Sequence, residues 1–578
     1  TEAAEEVPEG EKKSSIAALL AETMQRIDPQ DPRTALYAYL NGRTAACDVD
    51  NAALVYPFGC NASQKLAVQR ALGNRVSVVE GPPGTGKTQT ILNIVANLLM
   101  QGKTVGVVSN NNAAVDNVRD KLSKYEYGAL MAELGNRTRR QAFFADKQQD
   151  FMPDPTWRLP AEERTALRTR LGELSAAIDE LFRVNAELAD LRTKRSYAQC
   201  EYRHLLWEQP LDEARMRRVD RCFFRPIDSR RALSFRHLVT ERWQGGRPSL
   251  ALRAGLLFRC GAWPGKRLFA DAELLPAYAD RKFYETYIAE LSARIARLGA
   301  PSDEQRAKSL IEAYGKVSEA LFRDMLYRKY ERLNEARQEE RPPFTMQNYR
   351  THFRTFVERY PVVLSTTHSL CASIGAGHLL DYVIIDESSQ VDILTAAVCC
   401  ACCRNIIIGD SRQLPHIVEE QLRAKAEELR DKHRVPDAYD YVRQNILSSF
   451  KRVFGERLPV TLLREHYRCH PLIIDFCNRK YYRNELLIMT EPKGDYPFTV
   501  LTTTASKTYS HNGRIYNQRQ IDATCDWIER QHTEYAAMRF ASDAKRESPA
   551  ERIAERLIGG ILAEEDRFSA IGVHRHYR

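Results

Sequence analysis

The segment GPPGTGKT, residues 81–88, has the residue types and the spacing that hold a chain of phosphates. A β-branched run precedes it and an apolar helical pattern follows, so the loop would join a strand to a helix N-terminus, where backbone N–H groups attract anions. In such a loop Lys87 reaches the β and γ phosphates, and Thr88 contributes a hydroxyl to Mg²⁺. The segment therefore predicts a site for a nucleoside triphosphate with magnesium.

Two adjacent carboxylates follow an apolar run farther along the chain, in YVIIDESSQ. Because neighbouring residues of a strand point in opposite directions, Asp386 and Glu387 can take separate roles where the strand ends. Asp386 would complete the magnesium shell, and Glu387 would orient or deprotonate an attacking water. Combined with the phosphate-binding loop, this pair indicates hydrolysis of the nucleotide.

Two later segments supply groups that could act on the γ phosphate. In IIIGDSRQLP, Gln413 offers an amide that can contact this phosphate and report its loss to the surrounding loop. In LLREHYRCHP, Arg468 could reach across a cleft and stabilise the charge of the transition state. By spacing alone, an arginine at this position is more often a surface residue that forms an ion pair.

The elements that would position these side chains form an α/β fold. Continuous apolar runs, typical of strands buried on both faces, occur at residues 104–109, 362–367, 382–387 and 405–410, and one more leads into the phosphate-binding loop. Helical stretches separate several of these runs. The pattern predicts a P-loop nucleotide hydrolase with a parallel sheet covered by helices on both faces.

A long helical insertion, residues 144–350, interrupts this pattern. Apolar side chains recur at steps of three and four in two arms, which predicts an antiparallel, coiled-coil-like stalk. An ordinary helical insertion packed on the core fits the spacing as well. The first arm contains Leu167, Leu171, Leu174, Ile178, Leu181, Val184, Leu188 and Leu191, and the second contains Tyr284, Ile288, Leu291, Ile295 and Leu298.

Basic residues are concentrated between the two arms. The whole chain of 578 residues carries a net charge of +9, and residues 192–259 hold 16 basic against 7 acidic side chains. Arginines contact phosphates and aromatic rings stack on bases, so this stretch is a candidate nucleic-acid surface. The alternative is a solvated arginine-rich face above an aromatic core. The aromatic residues in question are Phe223, Phe224, Phe235, Trp243 and Phe258.

The composition is typical of a soluble globular protein, with 43% hydrophobic and 28% charged residues. No apolar run approaches the roughly 20 residues that span a bilayer, so a membrane protein is not expected. The 13 cysteines lack the spacing of a disulfide framework. Reduced thiols and a cytoplasmic location are therefore expected.

Taken together, the motifs resemble those of a known family. The segments NASQKLAV, GPPGTGKT, VVSNNNAAVDNV, DESSQ, GDSRQLP and HYRCHP follow one another in the order and approximate spacing of the superfamily 1B helicases. The chain resembles the senataxin and nonsense-mediated-decay subgroup over residues 55–130 and 360–490. The resemblance implies two RecA-like domains with ATP and Mg²⁺ between them, moving 5′ to 3′ along single-stranded DNA or RNA.

The resemblance also implies roles for individual residues. Gln64 matches the glutamine that reads adenine, and Tyr467 matches an aromatic residue packed near the base. Asn112 and Thr366 match positions that touch the nucleic-acid strand. The expected nucleotide-binding residues are Gln64, Gly81, Pro82, Pro83, Gly84, Thr85, Gly86, Lys87, Thr88, Gln89 and Tyr467, with catalytic Glu387, Lys87, Gln413 and Arg468 and the magnesium ligands Thr88 and Asp386.

The expected function is an ATP-dependent helicase or translocase on single-stranded nucleic acid. Because the later motifs of the family do not precede Arg578 and the chain starts at Thr1 without Met, we expect a fragment that binds ATP but unwinds poorly. The alternative is an ATP-gated nucleic-acid-binding regulatory module of a longer defence or repair protein. The insertion could also bind a protein partner.

The expected organisation places a split RecA-like domain around the insertion and a partial second RecA-like domain after it. The predicted boundaries are 1–50 for an N-terminal helical or linker region, 51–143 and 351–420 for the first RecA-like domain, 144–350 for the insertion and 421–578 for the partial second domain.

Overall fold

The computed structural model divides the chain into two compact units, Thr1–Lys493 and Gly494–Arg578. Residues 1–23 of the predicted N-terminal region and most of the predicted second domain beyond residue 491 lie outside the described residues. The structure describes residues 24–25, 27–46, 48–145, 150–208, 212–243, 247–271, 273–299, 301–335, 344–400, 402–418, 420–491, 509–511 and 514–527.

A seven-stranded sheet forms the centre of the first unit. Its strands are β1 (Val76–Glu80), β2 (Val105–Ser109), β3 (Met131–Glu133), β4 (Val362–Thr366), β5 (Tyr382–Ile385), β6 (Arg404–Gly409) and β7 (Val460–Leu462). The strand order is β3-β4-β2-β5-β6-β1-β7, and each neighbouring pair is parallel. The predicted parallel α/β sheet is confirmed.

Two short strand pairs complete the β structure that is described. In the first unit, β8 (Glu465–His466) pairs in parallel with β9 (Leu487–Ile488). In the second unit, β10 (Tyr509–His511) pairs in antiparallel fashion with β11 (Arg514–Tyr516).

Helices cover both faces of the central sheet. None of the helices within the described ranges is long and apolar enough to cross a bilayer. The helices are α1 (Ala35–Asn41), α2 (Ala62–Leu72), α3 (Lys87–Met100), α4 (Asn112–Lys124), α5 (Arg137–Ala145), α6 (Ala161–Glu208), α7 (Glu213–Asp220), α8 (Ser229–Thr240), α9 (Leu250–Gly255), α10 (Leu274–Leu298), α11 (Pro301–Glu335), α12 (Phe353–Arg359), α13 (Leu370–Ser373), α14 (Ile393–Cys399), α15 (Glu420–His433), α16 (Ile446–Phe454) and α17 (Pro471–Tyr481).

The two faces of the sheet contribute to two separate hydrophobic cores. On β6, Ile406 and Ile408 join the core beneath α2, α3 and α4, whereas Ile407 joins the core beneath α1, α12 and α16. All three isoleucines are completely buried. Because alternate residues of a strand face opposite sides, a strand covered on both faces must be apolar at successive positions, which explains the continuous apolar runs in the sequence.

The insertion is built around α6, a helix of 48 residues that extends about 72 Å at the rise of an ideal helix. The chain returns along it as α10 and then α11, with Gly299 at the break between them. Tyr202 donates a hydrogen bond to Glu285 at 2.9 Å near the far end, and the Leu159 N–H donates to Asp324 at 2.8 Å near the base. The helices therefore run antiparallel to α6.

The two halves of α6 have different environments. Leu171, Leu174 and Ile178 are buried in the same core as α2, α3 and α4, so the base of α6 packs directly on the sheet domain. Its far half pairs with α10, where Glu187 forms an ion pair with Arg294 at 2.5 Å. Both arrangements considered from the sequence, a stalk and a packed helical insertion, thus occur along one helix.

The far end of the insertion forms a small subdomain, here called the tip, that consists of the described residues from 212 to 282. It contains α7, α8, α9 and the first turns of α10. Its own hydrophobic core is separate from the two cores of the sheet domain. The buried residues of this core include Met216, Phe235, Leu252, Leu256 and Tyr278.

Two strands of the central sheet were not predicted from the sequence. β3 and β7 have three residues each, and β7 lies beyond the predicted boundary at residue 420. β7 pairs with β1 through Val460 opposite Val78, so the sheet of the first domain draws on residues up to Leu462. A strand of three residues carries too little periodicity to stand out in a sequence.

Candidate active site

The phosphate-binding loop joins β1 to α3, as the sequence predicted, and two of its glycines have a left-handed backbone. Gly84 has φ +81° and Gly86 has φ +86°, which side-chain-bearing residues rarely adopt. A Cβ built on Gly84 would lie 2.5 Å from Arg468 Cβ and 2.8 Å from His466 Nε2. The loop therefore depends on glycine at Gly84 for its conformation and for its close packing. Thr85 is completely buried and donates through its hydroxyl to the Pro82 carbonyl at 2.7 Å.

Lys87, the first residue of α3, is paired with Glu387. The distance between Lys87 Nζ and Glu387 Oε1 is 2.8 Å, and both side chains are largely buried. These residues belong to the ends of β1 and β5, which are separated in the sheet by β6 alone. The fold thus brings the expected phosphate-binding lysine and the expected catalytic carboxylate into direct contact.

Asp386 is buried where β5 ends. Burial raises the pKa of its carboxyl group to about 6; Lys87 lowers this pKa and the Glu387 carboxylate raises it. Asp386 Oδ1 receives a hydrogen bond from the Glu387 N–H at 2.9 Å. A cation bound beside this buried carboxylate would favour its ionised form.

The residues at this position fit Mg²⁺, which commonly takes one or two protein oxygens together with oxygens of the substrate phosphates. Thr88 and Asp386 would supply those protein oxygens. The Thr88 hydroxyl is positioned by Asn117, whose Nδ2 donates to it at 3.2 Å. Among the described residues, no group of three or more His, Cys, Asp or Glu side chains could hold a metal ion by itself.

Glu387 has an unusual backbone conformation and an unsatisfied oxygen. Its φ of +50° and ψ of +39° are left-handed, and this conformation costs a non-glycine residue about 1–2 kcal/mol. While Oε1 contacts Lys87, the buried Oε2 has no hydrogen-bond partner in the described part of the chain. A buried carboxylate oxygen without a donor is a suitable acceptor for a water molecule.

Gln64 lies behind the phosphate-binding loop at the start of α2. Its Nε2 donates to the Thr85 carbonyl and to Gln89 Oε1, each at 3.1 Å. Its Oε1 accepts from the Asn61 N–H at 3.2 Å, which completes a capping box at the start of α2. Gln89 in turn donates to the Phe58 carbonyl at 2.7 Å. Gln64 and Gln89 thus form one network with the loop.

Gln413 is held next to Asp410 rather than in contact with the phosphate-binding loop. Its Nε2 donates to Asp410 Oδ2 at 3.1 Å, and the hydroxyl of Tyr482 donates to the same oxygen at 2.7 Å. Burial and the nearby Asp410 both raise the pKa of Tyr482, so its hydroxyl remains a donor. The amide of Gln413 therefore has a defined position, set by a residue that follows α17.

The HYRCHP segment packs against the phosphate-binding loop. The Tyr467 N–H donates to the Gly84 carbonyl at 3.1 Å, and the side chain of Arg468 is exposed beside the loop. His466 is completely buried. Burial lowers the pKa of His466, Arg468 lowers it further, and the Pro83 backbone opposes these effects. His466 is therefore neutral near pH 7, and Arg468 is the cation of this segment.

Asn112 and Thr366, the expected strand-contacting residues, lie at the carboxyl edge of the sheet. Thr366 is the last residue of β4, where it pairs with Ser109 of β2, and Asn112 is the first residue of α4. Between them, Thr367 donates a hydrogen bond to Asn110. Both expected residues are thus on the same edge as the phosphate-binding loop.

Four residues of this site were not singled out from the sequence. Asn117 contacts Thr88, Tyr482 contacts Asp410, and His466 lies under Gly84. Lys65, next to Gln64, is buried and contacts Ser175 and Asp179 of α6. The one signal available was a position within a recognised motif, and that signal applies to Lys65, Asn117 and His466 but not to Tyr482.

The parallel sheet, the strand-loop-helix unit around Lys87 and the carboxylates after β5 define a P-loop ATPase of the RecA-like class. Residues 59–421 match the family described as AAA domain (AAA_11). This match covers more than half of the chain, and the chain belongs to that family.

Similarity to individual proteins extends over part or most of the chain. DNA polymerase alpha-associated DNA helicase A of Schizosaccharomyces pombe is 39% identical over 93 residues, which are 16% of this chain and 14% of that protein. The uncharacterized ATP-dependent helicase MG140 of Mycoplasma genitalium is 22% identical over 550 residues, covering 79% of this chain and 48% of that protein. A regulator of nonsense transcripts 1 homolog of Neurospora crassa is 32% identical over 129 residues, 21% of this chain and 11% of that protein.

These relatives carry the names of helicases and of a nonsense-transcript regulator. The predicted resemblance to the superfamily 1B helicases is confirmed. The chain spans about half the length of MG140 and a smaller share of the other two proteins.

Proposed function

We propose that this chain is the ATP-hydrolysing motor of a nucleic-acid helicase or translocase. The observation that carries the proposal is the contact between Lys87 and Glu387 beside the buried carboxylate of Asp386. Hydrolysis of a bound triphosphate requires a lysine that binds the phosphates, a carboxylate with an oxygen available to a water, and a second carboxylate that binds the metal ion.

Binding of ATP would change the group that Lys87 contacts. Its ammonium would turn from Glu387 to the β and γ phosphates, and Glu387 would then be free to orient a water and accept its proton. Magnesium, when bound, would neutralise charge on the β and γ phosphate oxygens. Asp386 and Thr88 would hold it through their side-chain oxygens.

Arg468 and Gln413 would act at the far side of the γ phosphate. Arg468 is exposed next to Gly84, where an arginine can stabilise the charge of the transition state. Gln413 is attached through Asp410 to Tyr482, so a contact between its amide and the γ phosphate would be transmitted to the end of α17. These two residues would couple hydrolysis to movement of the chain that follows them.

The base of the nucleotide would lie on the Gln64 side of the loop. Gln64 and Gln89 lie there with their amide groups hydrogen-bonded to each other, and Tyr467 presents an exposed ring. The phosphates would be cradled by Gly81, Pro82, Pro83, Gly84, Thr85, Gly86, Lys87 and Thr88.

A single strand of DNA or RNA would run past Asn112 and Thr366 at the carboxyl edge of the sheet. This placement, the 5′ to 3′ direction and the second RecA-like domain follow from the resemblance to superfamily 1B helicases. The proposed location is the cytoplasm, because the 13 cysteines lack the spacing of a disulfide framework.

The rate of ATP hydrolysis, with and without single-stranded RNA and DNA of equal length, tests this proposal. We expect the rate to rise with at least one of the two strands, at fixed salt because phosphate contacts depend on ionic strength. ATP-dependent binding of the strand without turnover would contradict a motor and would indicate the ATP-gated binding module instead. A strand-displacement assay with the same protein separates a helicase from a translocase.

A further inference from the structure

The aromatic residues of the basic stretch divide into two groups in the tip. Phe235 is buried in the tip core, Phe223 packs against that core, and Trp243 packs on Phe269. Phe224 and Phe258 are instead 55% and 76% exposed. The solvated face above an aromatic core, and the exposed aromatic surface, are therefore both present in this subdomain.

The exposed aromatic residues are held by a regular backbone contact. Phe223 and Ala262 form an antiparallel bridge and contribute to the tip core. One position farther along each segment lie Phe224 and Trp263, and neither ring belongs to the tip core. Trp263 is 67% exposed.

This bridge places Phe224 and Trp263 on the two neighbouring segments that it joins. The Phe224 N–H donates to the Gly261 carbonyl at 2.9 Å, and the Trp263 N–H donates to the Cys222 carbonyl at 2.8 Å. Phe258 lies on the short π-helical turn Leu256–Cys260, directly before this bridge. We call the set of Phe224, Arg225, Phe258, Arg259 and Trp263 the tip patch.

The tip patch is strongly basic as well as aromatic. Residues 221–271 contain 11 Lys and Arg against 3 Asp and Glu. Arg225 and Arg259 are exposed, and neither has a carboxylate partner among the described residues. The guanidinium of Arg225 lies 5.7 Å from the centre of the Phe224 ring, so one cation and one aromatic face are already adjacent.

We propose that the tip patch binds single-stranded nucleic acid as a second contact, separate from the ATP cleft. The inference rests on the proposed function, because the strand at the tip is the strand on which the motor would act. Exposed rings stack on the bases of a single strand. Arginines that form no ion pair with a carboxylate contact the phosphates between those bases. The 11 basic against 3 acidic side chains of residues 221–271 favour a polyanionic partner, because each neutralised phosphate contributes to binding.

The stalk fixes the position of this second contact. Lys65 of α2 contacts α6 at Ser175 and Asp179, and α6 continues to Glu208 before the tip begins. The part of α6 beyond Asp179 extends about 45 Å at the rise of an ideal helix. The tip patch therefore binds a segment of the strand, DNA or RNA, that is remote from the segment at Asn112 and Thr366.

Replacement of the exposed rings in the full chain tests the proposal. The variant Phe224→Ala with Trp263→Ala removes two stacking platforms without hollowing the tip core. We expect its affinity for labelled single-stranded RNA or DNA, measured by fluorescence anisotropy, to fall about tenfold to one-hundredfold. The variant Arg225→Glu with Arg259→Glu should weaken binding and flatten the dependence of affinity on salt. Parallel titrations with RNA and DNA show which strand the patch prefers.

Two controls keep these outcomes distinct. Leu250→Ala removes an apolar side chain of the tip that is even more exposed, at 85%, but cannot stack, and it should leave affinity unchanged. ATP hydrolysis without nucleic acid should be the same in all of these variants. A wild-type chain that binds neither strand overturns the proposed function together with this inference. If both double variants bind nucleic acid as tightly as the wild type, the tip proposal alone is overturned, and the patch would instead bind a protein partner.

Discussion

Lys87 and Glu387 are separated by 300 positions in the chain and joined by a contact of 2.8 Å in the fold. The long insertion lies between them in sequence, but β1 and β5 have only β6 between them in the sheet. In this arrangement the ammonium that should hold phosphates is paired with the carboxylate that should activate water. On the proposed mechanism, ATP would break this contact before Glu387 acts, so the pair would link nucleotide binding to catalysis.

Glu387→Gln should abolish turnover while preserving ATP binding. The amide cannot accept a proton from water, and loss of a general base commonly lowers a rate by about one-hundredfold to ten-thousandfold. Binding should persist because Lys87 remains available to the phosphates. Steady-state hydrolysis and equilibrium binding of ATP measure the two effects, with the exposed Glu358→Gln as the matched control. Hydrolysis at the wild-type rate would show that another group is the base.

Gly84→Ala should impair nucleotide binding far more than Gly102→Ala. Both glycines have a positive φ, so alanine introduces a similar backbone strain of about 1 kcal/mol at each position. A Cβ at Gly84 would also collide with Arg468 and His466, whereas a Cβ at Gly102 has no atom within 4 Å. ATP affinity and thermal stability of the two variants provide the measurement. Equal effects in both variants would mean that strain alone, and not packing against HYRCHP, restricts the loop.

The parts of the site that could be predicted from the sequence are those formed by short, continuous segments of the chain. The loop around Lys87 and the carboxylate pair after β5 are recognisable because each lies at the end of an apolar run that forms a strand by itself. β7 could not be recognised in the same way, since Val460–Leu462 is a strand only because β1 offers an edge to it. The boundary of the first domain therefore depends on tertiary pairing rather than on composition.

The tip shows the same limit for side chains. Composition identified a basic stretch that contains aromatic residues, but it could not separate Phe235 in the core from Phe258 at the surface. Trp263 lies outside that stretch and became visible only through the bridge between Phe223 and Ala262. Exposure is a property of the folded subdomain, and no residue count reports it.

Tyr482→Phe should slow hydrolysis while leaving ATP affinity nearly unchanged. The substitution removes the hydrogen bond to Asp410 that helps to position Gln413, and the loss of one such bond corresponds to a decrease in kcat of about threefold to tenfold. Tyr481→Phe, one residue earlier, is the matched control. A rise in KM with an unchanged kcat would contradict a role for Tyr482 in positioning Gln413.

Lys65 and Asp179 connect the helix of Gln64 to the stalk, and the two residues are unequal in exposure. Lys65 is 4% exposed, whereas the side chain of Asp179 is 59% exposed, and their ion pair measures 2.6 Å. Removing the carboxylate alone leaves a buried ammonium with the Ser175 hydroxyl and carbonyl as its remaining hydrogen-bond partners. Removing the ammonium leaves only an exposed carboxylate, which water can solvate.

Asp179→Ala should therefore destabilise the junction of α2 and α6 more than Lys65→Met does. Because Asp179 is partly solvated, the expected loss is about 1–2 kcal/mol rather than that of a fully buried pair. Faster hydrogen exchange of the α2 and α6 amides, by about tenfold, would report it. The double variant should exchange at the rate of Lys65→Met, since no unpaired ammonium remains. Arg183→Met breaks an exposed pair with Glu180 on the same helix and should change nothing. Equal exchange in Asp179→Ala and Arg183→Met would mean that the buried lysine does not hold the stalk to the ATP cleft.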